Sequence, residues 1–159
     1  MINNFENIRL HIHDKAIATI SINDPESYNS LSFKNLTSLI KVFKILDNNK
    51  NIKVIIIEGA GKGFCAGHNL KEVNRLKKRA KYQKLFNLCS KFMLHIVEGK
   101  KPVIAKVHGA AFAAGCQLVA SCDLAYSTND AIFATPGVNI GLFCSTPMVA
   151  VSRKVNRKR

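Results

Sequence analysis

The sequence predicts an α/β fold, because stretches typical of strands alternate with stretches typical of helices. The strand-like stretches are short and rich in β-branched residues, whereas the helix-like ones have apolar residues three and four positions apart. The chain has 159 residues and is 47% hydrophobic, which suits one domain that buries roughly 70% of its unfolded surface. We therefore expect residues 1–159 to form a single domain.

The chain begins with two predicted strands that form a hairpin. Residues 8–13 and 16–22 are alternating or continuously apolar, and Asp14 and Lys15 lie between them where a tight turn is needed. A turn follows at 24–27, which contains Asp, Pro and Ser.

A helix and a buried strand come next. Ser32 is typical of a residue that caps a helix start, and apolar residues follow it at helical spacing from Leu36 to Leu46. The β-branched run over 53–58 indicates a buried strand. Glycines at positions 59, 61, 63 and 67 then mark a loop.

The second half of the chain continues the alternation. It predicts one helical stretch over 69–97, a strand over Val103–Val107 and a short helix over Cys116–Ser121. Two short strands are predicted at 124–127 and 132–134, and Thr135, Pro136 and Gly137 break the chain. A last helix is predicted over 147–154, since proline is tolerated in a first turn.

Several classes of protein are excluded by composition. No apolar run approaches the ~20 residues that span a bilayer, and the start of the chain lacks the basic and apolar regions of a secretory signal. The five cysteines are odd in number and have no zinc-ligand spacing. We therefore expect no metal site, no membrane partner and a reducing, cytoplasmic location.

The net charge is +14 and lies mostly in the second half of the chain. Residues 1–70 carry a net charge of +2, whereas residues 71–159 carry +12. Such an excess suits a nucleic acid, a membrane surface or a phosphorylated small ligand. The chain is also rich in Lys, Asn and Ile, so a biased genome composition is a further explanation for part of the charge.

Two turns made of small residues are candidates for a catalytic or binding site. Residues 63–70 and 108–117 each lie between a buried strand and a helix. The first amides of a helix have no intrahelical partner and carry partial positive charge, and two such amides on one oxygen form an oxyanion hole. Close packing of helix against strand also demands Gly and Ala, so pattern alone leaves both explanations open.

These turns, in their order and spacing, resemble the enoyl-CoA hydratase/isomerase (crotonase) family. The resemblance rests on residues 17–31, on 54–71 with its Phe64-Cys65-Ala66-Gly67-His68-Asn69-Leu70-Lys71, and on 101–124. It covers nearly the whole chain. Within the family, residues 67–72, 115–123 and 133–147 favour the subgroup of the enoyl-CoA hydratase domain-containing protein 3 type.

The resemblance implies a crotonase-like spiral of β-β-α units, assembled as a homotrimer or a dimer of trimers. It implies no permanently bound cofactor and an acyl-CoA thioester as ligand. The backbone amides of His68 and Ala114 would form the oxyanion hole and stabilise an enolate. The residues expected to line the acyl-CoA site are Asn29, Ser30, Ala66, His68, Asn69, Leu70, Lys71 and Ala114.

The acid positions of the family are substituted. Hydratases of the family use two carboxylates, which belong at Gln117 and Gly137, and some isomerases and dehalogenases use the position of Ser145 instead. None of these three side chains is a carboxylic acid. We therefore expect a protein that binds and polarises an acyl-CoA but is a poor or inactive hydratase, with Asp123 structural and with His68 or Cys144 as alternative acting groups.

The chain stops about where the family begins its C-terminal helical part. We therefore expect those helices to be missing, which leaves an apolar face exposed and weakens both trimer formation and CoA affinity. The charge has a corresponding explanation, because its bulk begins at Lys71, beside the phosphorylated end of CoA in the resembling family.

Two other functions stay open. A basic RNA-binding protein is suggested by eight basic residues against one acid over 71–91, with Tyr82 and Phe86 among them. A solvated helix face explains the same pattern, and we favour it over nucleic acid. A non-catalytic partner subunit of an active paralogue is the third function considered.

Overall fold

A computed structural model describes residues 2–156. It contains eight strands and five helices within that range. The strands are β1 Ile2–Phe5, β2 Ile8–His13, β3 Ile17–Ile22, β4 Val54–Gly59, β5 Val103–Val107, β6 Ala110–Phe112, β7 Leu124–Ser127 and β8 Ile132–Ala134. The helices are α1 Phe33–Asn48, α2 Leu70–Arg75, α3 Arg79–Val97, α4 Ala114–Ser121 and α5 Ser145–Ser152.

Six of the strands form one mixed sheet, in the order β1-β2-β3-β4-β5-β7. The first three strands are antiparallel, and β3, β4, β5 and β7 are parallel. Strands β6 and β8 form a separate parallel pair. The predicted α/β class is confirmed, since helices connect the parallel strands as such connections require.

One face of the large sheet forms the core. Ile20 of β3, Ile57 of β4 and Ala105 of β5 lie in register across the parallel strands, and all three are fully buried. Helix α1 packs on β2 and on α3, and buried residues of both helices belong to the same core as these strands. Phe43 of α1 meets Phe92 of α3 edge to face, with ring centroids 5.4 Å apart, an arrangement that stabilises aromatic pairs beyond their buried area.

The predicted hairpin and helix cap are confirmed. Strands β2 and β3 pair antiparallel, and the turn residues Asp14 and Lys15 both have positive φ, as a turn that matches the strand twist requires. The Ser32 hydroxyl accepts a hydrogen bond from the amide of Asn35 and so caps α1.

The prediction of one helical stretch over 69–97 is wrong, because the chain leaves helical geometry after Arg75 and resumes it at Arg79. Leu76 and Leu85 are nine positions apart, which places them on opposite sides of a straight helix at 100° per residue. Both are buried. The break lets both side chains reach the same core.

Smaller differences lie around the short elements. The sequence does not predict strands β1 and β6, α4 begins at Ala114 rather than Cys116, and α5 covers Ser145–Ser152 rather than 147–154. Within residues 2–156, no helix combines the length and the hydropathy needed to cross a bilayer. Three of the basic residues behind the net charge, at positions 157–159, lie outside the described residues.

The packing of α1 on α3 predicts the cost of a core substitution. Replacing Phe43 with Ala should lower the free energy of unfolding by about 3–5 kcal/mol, because it removes a fully buried ring and leaves a cavity. Ile45→Ala, on the exposed side of the same helix, is the matched control and should cost well under half as much. Urea unfolding of both variants measures the difference, and equal losses would contradict this placement of the core.

Candidate functional site

The two turns of small residues lie against each other. Strand β6 connects them, because Cys65 forms a parallel bridge with Ala111. The Cys65 amide donates to the Ala110 carbonyl at 3.0 Å, and the Phe112 amide donates to the Cys65 carbonyl at 2.9 Å. Strand β6 leads directly into α4, so these hydrogen bonds place the start of α4 beside the first turn.

Glycines at two positions make this contact close. A Cβ atom on Gly67 would lie 3.0 Å from the amide nitrogen of Ala114, and Gly67 has a φ of +86°. A Cβ atom on Gly115 would overlap the Cys65 carbonyl oxygen. Side chains are therefore excluded where the two turns meet. Close packing of helix against strand, left open by the sequence, is thus present together with the adjacent amides.

The amides of His68 and Ala114 make no protein hydrogen bond within residues 2–156. Ala114 is the first residue of α4, so its N–H has no intrahelical acceptor. The preceding residue, Ala113, has φ 49° and ψ −117°, which is a sparsely populated conformation for alanine. Nothing in the sequence signals this strained backbone, which sets the direction in which α4 starts.

A loop that precedes α1 is hydrogen-bonded to the first turn. The Leu31 amide donates to the Gly67 carbonyl at 2.7 Å, and the Ala66 amide donates to the Tyr28 carbonyl at 3.0 Å. Three segments distant in sequence therefore meet at one place: residues 28–31, residues 65–68 and the start of α4.

Two predicted lining residues in this loop have inward-facing side chains. Asn29 is fully buried, and its amide group donates to the carbonyls of Ala60 and Gly63 at 2.7 and 2.8 Å. The Ser30 hydroxyl is also buried and donates to the Ser27 hydroxyl. Both side chains hold the loop together, and their predicted contact with a ligand stays a prediction.

The other predicted lining residues surround the start of α2. The Asn69 side chain caps this helix by accepting a hydrogen bond from the Glu72 amide at 3.0 Å. Ala66 is half-buried, whereas Leu70 and Lys71 are exposed. Their predicted ligand contacts, like that of Asn69, stay predictions.

The His68 side chain is largely desolvated. Its ring packs edge to face on Phe86 of α3, with centroids 5.1 Å apart, and its Nε2 atom is buried with no hydrogen-bond partner within the described residues. Desolvation lowers the pKa of His68 to about 4, because burial disfavours the charged imidazolium. The imidazole beside the first amide is therefore neutral at physiological pH.

Gln117 lies one turn into α4 from Ala114 and is buried. The Thr146 hydroxyl, from α5, donates a hydrogen bond to its Oε1 atom at 3.0 Å. Gln117 is part of the wall of a cavity of about 520 Å³ between α3, α4 and α5. The wall residues include Ser90, Met93, Leu94, Val97, Gln117, Asp123, Ser145, Thr146, Val149 and Arg153.

The three acid positions of the resembling family are not all brought together. Gln117 and Ser145 share the wall of the cavity, whereas Gly137 is not part of it. A Cβ atom on Gly137 would lie 2.7 Å from the Cys144 sulfur and would overlap the Leu142 carbonyl oxygen. Any side chain is therefore excluded at Gly137 without a backbone shift, which the sequence does not reveal.

Asp123 is the one carboxylate in the wall of this cavity. Its Oδ2 atom accepts a hydrogen bond from the Val103 amide at 2.8 Å, and its own amide donates to the Val103 carbonyl at 2.9 Å. These bonds continue the pairing of β5 with β7. The structural role predicted for Asp123 agrees with this geometry. No cluster of three or more His, Cys, Asp or Glu side chains suited to a metal ion is found within residues 2–156.

Basic side chains surround the start of α3. All eight basic residues between positions 71 and 91 are exposed, and none forms an ion pair within the described part of the chain. The acid of this segment, Glu72, accepts a hydrogen bond from the Phe33 amide. We call these residues the basic surface: Lys71, Arg75, Lys77, Lys78, Arg79, Lys81, Lys84 and Lys91. Phe86 connects the basic surface with His68.

One protein family matches most of the chain. Residues 13–159 match the family model described as enoyl-CoA hydratase/isomerase. The human "Enoyl-CoA hydratase domain-containing protein 3, mitochondrial" is 48% identical over 142 residues, which are 89% of this chain and 47% of the human protein. "Enoyl-CoA hydratase, mitochondrial" from Pongo abelii is 34% identical, over 87% of this chain and 47% of its own length.

Solved structures give the same result. The enoyl-CoA hydratase of Mycobacterium smegmatis superposes with a TM-score of 0.92 at 46% identity, covering 96% of this chain and 59% of that one. Human enoyl Coenzyme A hydratase domain-containing protein 3 superposes with a TM-score of 0.91 at 45% identity. The predicted crotonase-like fold and subgroup are confirmed. The chain spans about half the length of the curated relatives it matches.

The close contact at Gly67 predicts that a side chain there destabilises the fold, and Gly141 provides the comparison. Gly67→Ala adds both strain from positive φ and a clash with the start of α4, whereas Gly141→Ala, at φ +73° with open space around it, adds strain alone. Gly67→Ala should therefore lower the free energy of unfolding by about 1–3 kcal/mol more than Gly141→Ala. Chemical denaturation measures both, and equal losses would show that the turns are not in close contact.

Desolvation of His68 predicts a pH dependence of stability. Its pKa is about 4 in the folded protein and about 6.5 when unfolded, so the unfolded state binds the extra proton between these values. The stabilisation is complete above pH 6.5 and is lost as the pH falls toward 4. Between pH 7.5 and 5 the loss should be about 2 kcal/mol.

Unfolding by urea at the two pH values tests this, with His68→Gln compared with the wild type. The variant should lose about 2 kcal/mol less than the wild type over the same interval. His11→Gln, at an exposed position, is the control and should behave as the wild type does. An identical pH dependence of the wild type and His68→Gln would contradict the buried, neutral imidazole.

Proposed function

The chain belongs to the enoyl-CoA hydratase/isomerase family, and we propose that it binds an acyl-CoA thioester between the amides of His68 and Ala114. The adjacency of these two amides, neither bonded to a protein acceptor in the described residues, is the observation that carries the proposal. Two donors to one carbonyl oxygen polarise the thioester and stabilise the enolate that forms when a proton leaves Cα. Removing one such donor typically costs about 2.7–4 kcal/mol of transition-state stabilisation.

The surroundings of His68 support this role for the backbone. The Phe86 ring packs on the His68 imidazole, and this imidazole is desolvated. Hydrogen bonds from fixed amides are stronger in such a low-dielectric environment than in water. The neutral imidazole also adds no competing charge next to the donor.

The basic surface is the proposed site for the phosphates of CoA. It lies on α2, on α3 and on the break between them, directly after the first amide in sequence, and contact between Phe86 and His68 connects it with the proposed thioester site. Eight exposed cations without ion-pair partners in the described residues attract a ligand with several phosphate charges. An RNA ligand and a role as partner subunit stay predictions, since no particular contact favours them.

We expect little hydration of an enoyl-CoA. Water addition needs a group that takes up and returns a proton, and Gln117 and Ser145 in the cavity wall supply none at neutral pH. The backbone around Gly137 leaves no room for a carboxylate. The Asp123 carboxylate accepts a hydrogen bond from the Val103 amide and so stabilises the end of the sheet. The proposed function is therefore binding and polarisation of the thioester rather than efficient hydration.

Assembly and location follow from the family and from the surface. Large apolar side chains are exposed on β7, β8 and α5, for example Leu124, Phe133 and Val149. We propose that the C-terminal helical part of the family, together with trimer contacts, covers this face, because contiguous apolar surfaces mark interaction sites. The names of the domain-containing protein 3 relatives call them mitochondrial, which does not support the cytoplasmic location expected from composition.

An ester in place of the amide at Ala114 tests the oxyanion hole directly. Incorporation of lactic acid at this position replaces the N–H with an oxygen atom and leaves Ala113 at φ 49° and ψ −117°, whereas proline would force Ala113 out of that conformation. We expect the C=O stretch of bound butyryl-CoA to move to lower frequency in the wild type and to move less in the variant. The affinity of the variant for butyryl-CoA should fall by about 0.5–1.5 kcal/mol, the usual net value of one hydrogen bond. Infrared difference spectroscopy and calorimetry measure the two effects.

S-Butyl-CoA, a thioether without the carbonyl, is the matched control ligand and should bind the wild type and the ester variant equally. An unshifted C=O frequency in the wild type, or an equal loss of affinity for thioester and thioether, would contradict the proposed oxyanion hole. Hydration of crotonyl-CoA at an ordinary rate, on the order of 10 per second, and abolished by changes at Gln117 or Ser145, would overturn the expectation of a poor hydratase.

A further inference from the structure

The Gln117 side chain presents a hydrogen-bond donor to the cavity. Its Oε1 atom is bonded to the Thr146 hydroxyl at 3.0 Å, which leaves the two N–H donors of the same amide group. The Nε2 atom has no hydrogen-bond partner within the described residues, and this atom is accessible to solvent. Because Gln117 is part of the cavity wall, these unpaired donors are available to a ligand that enters the cavity.

The donor lies close to the proposed site of the thioester carbonyl. Gln117 follows Ala114 by three positions on α4, so the two residues lie on the same side of the helix within about one 5.4 Å turn. In an acyl-CoA, C3 lies two bonds from the carbonyl carbon. An oxygen atom on C3 therefore falls in the neighbourhood of the Gln117 amide when the thioester oxygen is held by Ala114.

We propose that the acyl group bound by this protein carries an acceptor oxygen on C3, as in a 3-oxoacyl-CoA, and that the Gln117 amide donates a hydrogen bond to it. This inference rests on the proposed function, because it uses the thioester site at His68 and Ala114. It goes beyond that function by assigning the chemical class of the acyl group and the residue that selects it.

The hydrogen-bond donors of Gln117 determine which acyl group is preferred. A carboxylate there would accept a hydrogen bond from water or a hydroxyl group and would repel a carbonyl oxygen. The amide, with its oxygen bound to Thr146, donates instead. A ligand without an acceptor on C3 leaves this donor unpaired in a largely apolar cavity, which disfavours its binding.

Thr146 is a positioning residue in this arrangement. Without its hydroxyl group, the Gln117 amide is free to rotate and to present its oxygen in place of its nitrogen. Thr146→Val should therefore reduce the preference for an acceptor-bearing ligand, and Thr146→Ser should restore it. A merely structural role of the hydroxyl would change the affinity for both kinds of ligand alike.

The test compares two ligands that differ only by the oxygen on C3, butyryl-CoA and acetoacetyl-CoA, by isothermal titration calorimetry on the full chain. The wild type should bind acetoacetyl-CoA roughly 3- to 10-fold more tightly, the usual effect of one added hydrogen bond. Gln117→Met keeps the side-chain volume and removes the donors, so the ratio of affinities should fall to about 1. The ratio cancels effects on the CoA portion, which both ligands share.

The chain offers matched controls for both substitutions. Gln83 is the other glutamine and is exposed on α3, and Thr37 donates its hydroxyl to the Phe33 carbonyl on α1, away from the cavity. Gln83→Met and Thr37→Val should each keep the wild-type ratio. If Gln117→Met does not fold, Thr146→Val decides the question, since its effect on the ratio requires the same donor.

The outcomes separate this inference from the proposed function. Failure of both ligands to bind the wild type contradicts the proposed function. Binding of both with equal affinity leaves the proposed function standing and overturns the inference. An unchanged preference for acetoacetyl-CoA in Gln117→Met, or in Thr146→Val, also overturns it. A ratio that collapses in both variants and recovers in Thr146→Ser supports it.

Discussion

The backbone contact between residues 65–67 and the first turn of α4 is the constraint on which the candidate site depends. Cys65 hydrogen-bonds to β6 on both its amide and its carbonyl, and Gly67 and Gly115 have no space for a side chain where the segments touch. Any larger residue there would push the amides of His68 and Ala114 apart. The strained backbone at Ala113 is tolerated because the surrounding hydrogen bonds fix it.

The side chains of His68 and Gln117 beside the two amides are uncharged, and the backbone there is polar. His68 is desolvated and its pKa is lowered to about 4, and Gln117 is an amide. Fixed amide dipoles stabilise developing negative charge without moving a proton. The proposed polarisation of an acyl-CoA fits this arrangement better than a reaction that must pass protons to and from water.

Much of the fold was predictable because it depends on local patterns. The hairpin of β2 and β3, the cap at Ser32 and the strands at 54–59 and 103–107 follow from alternation, turn residues and β-branched runs. The break between α2 and α3 was not predictable from spacing alone, since each half has helical periodicity. It exists because Leu76 and Leu85 are both buried in one core, and that requirement acts only after the chain folds.

The sequence was sufficient to indicate the α/β class, the family, the two turns and the substitution of the acid positions, because each of these depends on residue identity at known spacing. The folded chain was needed for everything that depends on distance between separate segments. Examples are the contact of Gly67 with Ala114, the exclusion of a side chain at Gly137 by the Leu142 carbonyl, and the hydrogen bond that orients the Gln117 amide. Residues 29 places apart in sequence, such as Gln117 and Thr146, carry no local signal of their pairing. Only the packing of α4 on α5 brings those two side chains together and so decides which atom of the amide is bound to Thr146.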